Sequence, residues 1–244
     1  LQIEDFEREK NLLENITMLA PYQNEVSIKV QSQYEENPYP RWINLYEEEK
    51  PLTLKENLDN TQSRYKQTKT LMSDGEKEIL IAGCGTGRHP IEKALAYKNS
   101  NLLAVDLSAA SLGYALRKTE ELGITNINYL QADILDLKKM SRQFDLIESA
   151  GVLHHMQDPM AGWRVLTEVL RPGGIMMIGL YSEIAREKVV KLREEIKERG
   201  INNDVDSIKR YRQELIEGPK KGYVSQLWGD FFSTSEIRDL LFHV

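Results

Sequence analysis

From residue 78 onward the apolar positions fall into short unbroken runs separated by longer helical stretches. Residues 78–82 (EILIA), 102–105, 127–130, 144–148 and 175–180 each read as a strand, and their apolar runs are continuous, as for strands buried on both faces. Between them, residues 88–97 predict a helix with Ile91, Ala94 and Leu95 inward. A second helix follows Ser108, a good N-cap, and ends at Gly123, a good C′ residue, and a third spans 159–170 and closes on Arg171-Pro172-Gly173-Gly174. Strands alternating with helices predict a parallel sheet.

Residues 1–77 read differently. Ile3, Phe6, Leu12, Leu13, Ile16 and Leu19 recur at spacings of three and four, which predicts an amphipathic helix ended by Pro21. Val26, Ile28 and Val30 alternate, so residues 24–36 are open to strand or helix. Asn37-Pro38-Tyr39-Pro40-Arg41-Trp42 is stiffened by two prolines into an extended aromatic segment. It reads either as a strap packed on the domain or as a lid, with Tyr39, Arg41 and Trp42 facing a site. Beyond Tyr181, itself expected on the substrate side, residues 183–199 and 204–217 predict helices whose mixed charge is a solvated face. Residues 222–232 carry Tyr223, Trp228, Phe231 and Phe232, which suit a cap on the substrate side of the sheet. There are no internal repeats.

Charge and composition narrow the function. The chain has 244 residues and a formal net charge of −6, which argues against a broad duplex-binding surface. Residues 1–77 hold 15 acidic and 10 basic residues, and residues 78–244 hold 23 and 22. The single Cys84 excludes an internal disulfide and a thiolate zinc cluster. No apolar run reaches the roughly 20 residues of a membrane span, and no signal peptide is recognisable, so the expectation is a soluble, cytoplasmic protein.

The chemistry centres on Gly83-Cys84-Gly85-Thr86-Gly87, between the first strand and helix of the repeat. Open parallel sheets bind ligands beyond the carboxyl ends of their strands, and a helix N-terminus there offers free N–H groups. The dinucleotide fingerprint needs a third glycine where this chain has Arg88, and a phosphate-binding loop needs Gly-Lys-Ser/Thr, which is absent. A loop of this kind suits a ribose and a carboxylate. Asp106, 19 residues beyond Gly87, ends the second strand, where a carboxylate can accept from both hydroxyls of a ribose. Asp133 follows the third, within reach of an adenine amine.

Residues 78–87 (EILIAGCGTG), 103–107 (LAVDL), 131–135 (QADIL), 144–156 (FDLIESAGVLHHM) and 170–174 (LRPGG) resemble the class I S-adenosylmethionine-dependent methyltransferases over about residues 70–182. More narrowly, 34–42 (YEENPYPRW) with 149–156 resembles methyltransferase domains fused to tetratricopeptide repeats in bacteria. The fold implied is α/β, a doubly wound, mostly parallel Rossmann-like sheet (78–182). It carries an N-terminal helical extension or lid (1–77) and a helical C-terminal segment (183–244). That family's sheet has seven strands and ends in an antiparallel hairpin. Five are legible here, so the expectation is a C-terminally truncated domain, with the edge of its fifth strand exposed unless something covers it.

The resemblance also implies roles. Gly83, Cys84, Gly85 and Gly87 line the methionine and ribose, Asp106 binds the ribose hydroxyls and Leu107 lies beside the adenine. Ala132, Asp133 and Ile134 hold the adenine, while Glu148 and Ser149 face the methionine, their backbone carbonyls near its ammonium. The family's acid two residues before the first glycine is here Ile81, and Arg41 or Arg88 is the candidate for the methionine carboxylate. The cofactor is S-adenosylmethionine, yielding S-adenosylhomocysteine, and the acceptor is a small molecule or a protein.

A base is needed only if the acceptor keeps a proton. His154 is then the candidate, with His155 beside it on the substrate side. Cys84 reads as a small filler among glycines rather than a nucleophile, and no metal is expected. Two readings compete with methyl transfer: an NAD oxidoreductase, opposed by Arg88, and a non-catalytic binding or interaction module.

Overall fold

Lys77–Ala82 forms the central strand, β2, because its Ile79–Ala82 run is apolar and fully buried and both of its edges find partners. The computed structural model describes residues 2–45, 50–60, 75–219, 231 and 233–242. It divides into two compact units, Leu1–Leu180 and Tyr181–Val244.

In the first unit the strands are β1 (Thr17–Met18), β2, β3 (Ser100–Asp106), β4 (Ile127–Gln131), β5 (Phe144–Ala150) and β6 (Leu170–Gly179). They form one all-parallel sheet in the order β1-β4-β3-β2-β5-β6. The helices are α1 (Gln2–Leu12), α2 (Glu25–Glu36), α3 (Leu54–Asn60), α4 (Arg88–Ala96), α5 (Ala109–Glu121) and α6 (Pro159–Glu168). Alternate residues of each strand serve opposite faces. Leu80, Leu103, Val105 and Ile147 pack with Val165 and Leu166 of α6, while Ile79, Ile81, Leu102 and Leu146 pack with Leu54, Leu58 and Leu112.

Several expectations are corrected. The first helix stops at Leu12 rather than reaching Leu19. A short 3₁₀ turn (Leu13–Asn15) follows, and Thr17–Met18 adds a sixth strand, paired with Leu130 and Gln131. The β-branched Ile16 and Thr17 fit helix poorly, and the open edge of β4 supplies the backbone partners. Residues 24–36 are helix, started by Asn24, whose side chain accepts from the Val26 and Ser27 N–H groups. The last strand begins at Leu170, not Ile175, its register shifting across residues 171–174. Among the described residues β6 has a strand on one side only.

In the second unit, α7 (Glu187–Glu198), α8 (Val205–Glu217) and α9 (Thr234–Phe242) share a core that includes Leu192, Ile208, Tyr211, Ile237 and Phe231. The first of these helices starts four residues later than the charge pattern suggested. Tyr223, Trp228 and Phe232 lie outside the described residues. No helix among the described residues is long and apolar enough to cross a membrane.

The N-terminal helix is tied to the sheet layer by charge. Arg117 of α5 is nearly buried and holds Glu9 of α1 (2.9 Å) and Glu121 (2.5 Å). Removing one partner of a buried guanidinium costs more than the bond itself is worth. Glu9→Ala should therefore lower stability by about 1–3 kcal/mol, read as an earlier urea midpoint, and Glu9→Gln, which keeps an acceptor, should lose less.

Candidate functional site

Strand order reverses at β2, which has β3 on one side and β5 on the other, so a crevice opens above the carboxyl end of β2. The loop of residues 83–87 fills that position. Gly83, Gly85 and Gly87 have φ of +78°, +52° and +82°, a region that side chains rarely adopt. They are also crowded. A Cβ on Gly83 would fall 2.3 Å from Val152, and one on Gly87 2.4 Å from Ala115. The loop is pinned to β3, since the Gly83 and Cys84 N–H groups both donate to the Val105 carbonyl (2.8 and 2.9 Å).

Asp106 turns towards this loop. Its Oδ2 accepts from the Gly85 N–H at 2.7 Å and its Oδ1 from the Ser108 N–H at 3.0 Å. Burial pushes the Asp106 carboxyl above the usual aspartate range, against the pull of the Ser108, Gly85 and Leu107 N–H groups, and the charge of Glu35 adds to the rise. Burial likewise pushes the Cys84 thiol well up, which suits a filler and not a nucleophile.

Ala132, Asp133 and Ile134 are all buried beside the end of β3, where the Ala132 N–H donates to the Asp106 carbonyl at 3.0 Å. Asp133 accepts from the Leu135 N–H at 2.9 Å and so caps the following 3₁₀ turn (Ile134–Lys139). Leu107 is half-buried, and its carbonyl takes hydrogen bonds from Tyr22 (2.8 Å) and Gln131 (3.0 Å). On the other side, the Ser149 hydroxyl donates to the Ala82 carbonyl at 2.9 Å, joining β5 to the start of the loop. Glu148 is nearly buried, with His89 Nε2 at 2.6 Å and Lys93 Nζ at 3.1 Å.

Residues 37–42 lie over the loop. The Thr86 hydroxyl donates to the Pro40 carbonyl, Trp42 Nε1 donates to the Thr86 carbonyl (3.1 Å), and Tyr114 donates to the Trp42 carbonyl. Tyr39 places its carbonyl against Gly85. Arg41 faces the Tyr114 ring at 5.8 Å, and Arg88 is engaged with Glu92 at 2.8 Å. His154 and His155 occupy the 3₁₀ turn after β5 (Leu153–His155), with ring centroids 4.0 Å apart. Both His154 ring nitrogens are shut off from solvent, and His155 Nε2 lies 3.5 Å from the Tyr34 hydroxyl. Tyr181 belongs to the second unit, where Arg186 stacks on its ring at 3.2 Å. Among the described residues no three His, Cys, Asp or Glu side chains converge as metal ligands would.

Four polar residues escaped the sequence reading. Tyr22 and Glu35 come from the N-terminal segment, and Glu35 accepts from the Ala109 and Ala110 N–H groups at the start of α5 (2.6 and 3.0 Å). His89 and Lys93 are the partners of Glu148. Only the i, i+4 spacing of the last two was available as a signal, and such spacing is common on helices.

A family model described as "Methyltransferase domain" matches residues 73–225. An uncharacterized protein of Synechococcus sp. is 36% identical over 123 residues, covering 50% of this chain and 30% of that protein. A ubiquinone biosynthesis O-methyltransferase of Coxiella burnetii is 33% identical over 98 residues, covering 40% and 41%. The matches thus span less than half the length of these curated relatives. Among solved structures, PKMT2 from Rickettsia typhi, in complex with AdoHcy, is similar with a TM-score of 0.49 and 23% identity, covering 64% of this chain and 30% of that one.

The crowding at Gly85 yields a test of the strap. A Cβ there would stand 2.9 Å from the Tyr39 carbonyl. Gly85→Ala should displace residues 37–42 and expose Trp42, which is otherwise buried. The expected readout is a red shift in tryptophan fluorescence that disappears in a Trp42→Phe background.

Proposed function

Since the chain belongs to the methyltransferase-domain family, matched over residues 73–225, we propose that it moves a methyl group from S-adenosylmethionine to a small-molecule or protein acceptor. The observation that carries this reading is the 2.7 Å bond between Asp106 and the Gly85 N–H at the switch point of the sheet. Each Asp106 oxygen has accepted a backbone N–H and retains acceptor capacity, as a ribose diol requires. The three glycines keep the loop's surface free of side chains, and Gly87 begins α4 without a side-chain cap at the end that carries positive potential. These residues therefore fit an adenosyl amino acid.

In the proposed assignment Asp106 holds the ribose hydroxyls, and Leu107, Ala132, Asp133 and Ile134 hold the adenine. Gly83, Cys84, Gly85 and Gly87 line the amino-acid arm, with Glu148 and Ser149 at its far end. When bound, the cofactor supplies an electrophilic sulfonium methyl and leaves as S-adenosylhomocysteine. The protein's main task is then to hold the acceptor in line with that methyl, and positioning of this kind is worth up to about 7–11 kcal/mol of barrier. Tyr39, Arg41, Trp42 and His155 are the proposed acceptor-side and lid residues, and His154 the base where the acceptor carries a proton.

The narrower likeness to domains fused to tetratricopeptide repeats makes a parent chain with such repeats part of the proposal. A second reading, a binding module without chemistry, draws support from the buried ring nitrogens of His154. Labelled S-adenosylmethionine offered with a metabolite pool and a lysate separates the two. Label in an acceptor supports the enzyme, whereas tight cofactor binding with no transfer supports the module. Binding of NAD with none of S-adenosylhomocysteine would overturn both.

Acidification provides a sharper prediction. The ribose needs Asp106 ionised, and burial holds its pKa above the aspartate reference of about 3.9. Affinity for S-adenosylhomocysteine should fall as pH drops through that raised value. Folding does not suffer from this group, because a raised pKa means the folded chain binds the proton more tightly than the unfolded one. Asp106→Asn should weaken binding about 10- to 100-fold at neutral pH and remove this step, both measurable by titration calorimetry.

A further inference from the structure

The carboxylate expected two residues before Gly83 is absent, and Ile81 there is fully buried in the sheet. Its register partner on the neighbouring strand is Glu148. Residues in register share a face of the sheet, so a carboxylate does stand on this face, shifted by one strand spacing of about 4.8 Å. Glu148 is only 3% exposed. His89 Nε2 lies 2.6 Å from its Oε2 and Lys93 Nζ 3.1 Å from its Oε1. Burial pushes this carboxyl up, but the His89 hydrogen bond and the Lys93 charge outweigh that and bring it below the usual glutamate range. It therefore remains an ion within the sheet.

A buried charge is poor mortar, since an apolar side chain of similar size often stabilises as well. Its placement suggests another use. His89 and Lys93 stand four residues apart, on one face of the first turns of α4. That helix springs from the glycine loop, and its N-cap Gly87 has no side chain to secure it. Glu148 therefore fastens from the side what a capping side chain would ordinarily fasten from the end.

We propose that Glu148, acting through His89 and Lys93, is a positioning residue for the amino-acid arm of the ligand: it clamps α4 so that the glycine loop meets the arm. It rests on the reading of the site as one for S-adenosylmethionine. The nucleoside end is held by other groups, above all Asp106, so Glu148 matters to the arm and not to the adenosine.

Two ligands separate arm from nucleoside: S-adenosylhomocysteine has both, whereas 5′-methylthioadenosine lacks the amino-acid end. Calorimetry on the full chain should find that Glu148→Gln binds S-adenosylhomocysteine about 10-fold more weakly and 5′-methylthioadenosine as the parent does, within about twofold. Glu148→Asp, which keeps the charge, should recover part of the loss. If circular dichroism finds Glu148→Gln unfolded, the same split is expected of His89→Gln, which leaves Glu148 paired with Lys93. Equal loss of both ligands, or no loss of either, overturns the clamp. A parent chain that binds neither ligand overturns the methyl-donor reading itself, and is distinguishable because the failure precedes any substitution.

Discussion

The hydrogen bond from the Gly85 N–H to Asp106 Oδ2 joins the ends of two neighbouring strands, and the site is built around it. It forms only because the loop leaves β2 through glycines at positive φ, which turns N–H groups towards β3 rather than along the chain. Two further N–H groups, of Gly83 and Cys84, converge on the Val105 carbonyl, one residue before Asp106. The same arrangement buries the carboxylate, which raises its pKa. Burial thus makes the ionised Asp106 costlier than an aspartate in water, and the converging N–H groups offset part of that cost.

The N-terminal segment completes this centre. Glu35 engages the first N–H groups of α5, Tyr22 reaches the Leu107 carbonyl, and residues 37–42 close over Thr86 and Gly85. A helix start carries positive potential, so a carboxylate is well placed there, yet Glu35 also adds to the unfavourable field at Asp106. Glu35 of α2 and Asp106 therefore lie in one electrostatic field.

The elements legible in the sequence are those set by local chemistry. The run EILIA forms β2 and the glycines after it turn as expected, while Ser108 caps α5 through its hydroxyl and the Ser111 N–H. Asp106 ends β3 because apolar strand residues give way to a carboxylate where the strand leaves the core. The strand after α6 is longer than its local pattern, since Pro172 and the glycines beside it read as a break, and pairing with β5 carries the strand through them.

What remained hidden depends on partners far along the chain. Apolar spacing by itself argued for helix through Leu19, and only the free edge of β4 makes Thr17–Met18 a strand. Glu35 is one acidic residue among many until α5 presents its N–H groups 74 residues later. Glu148 looks like a strand-end residue until His89 and Lys93 arrive from α4. The amino-acid order alone therefore determined the parallel strands, the glycine turn and the acid at the end of β3, because spacing and backbone permissiveness act over a few residues. The tertiary structure decided the edge strand, the strap and the buried clamp, because each owes its stability to groups that folding alone brings within hydrogen-bonding distance.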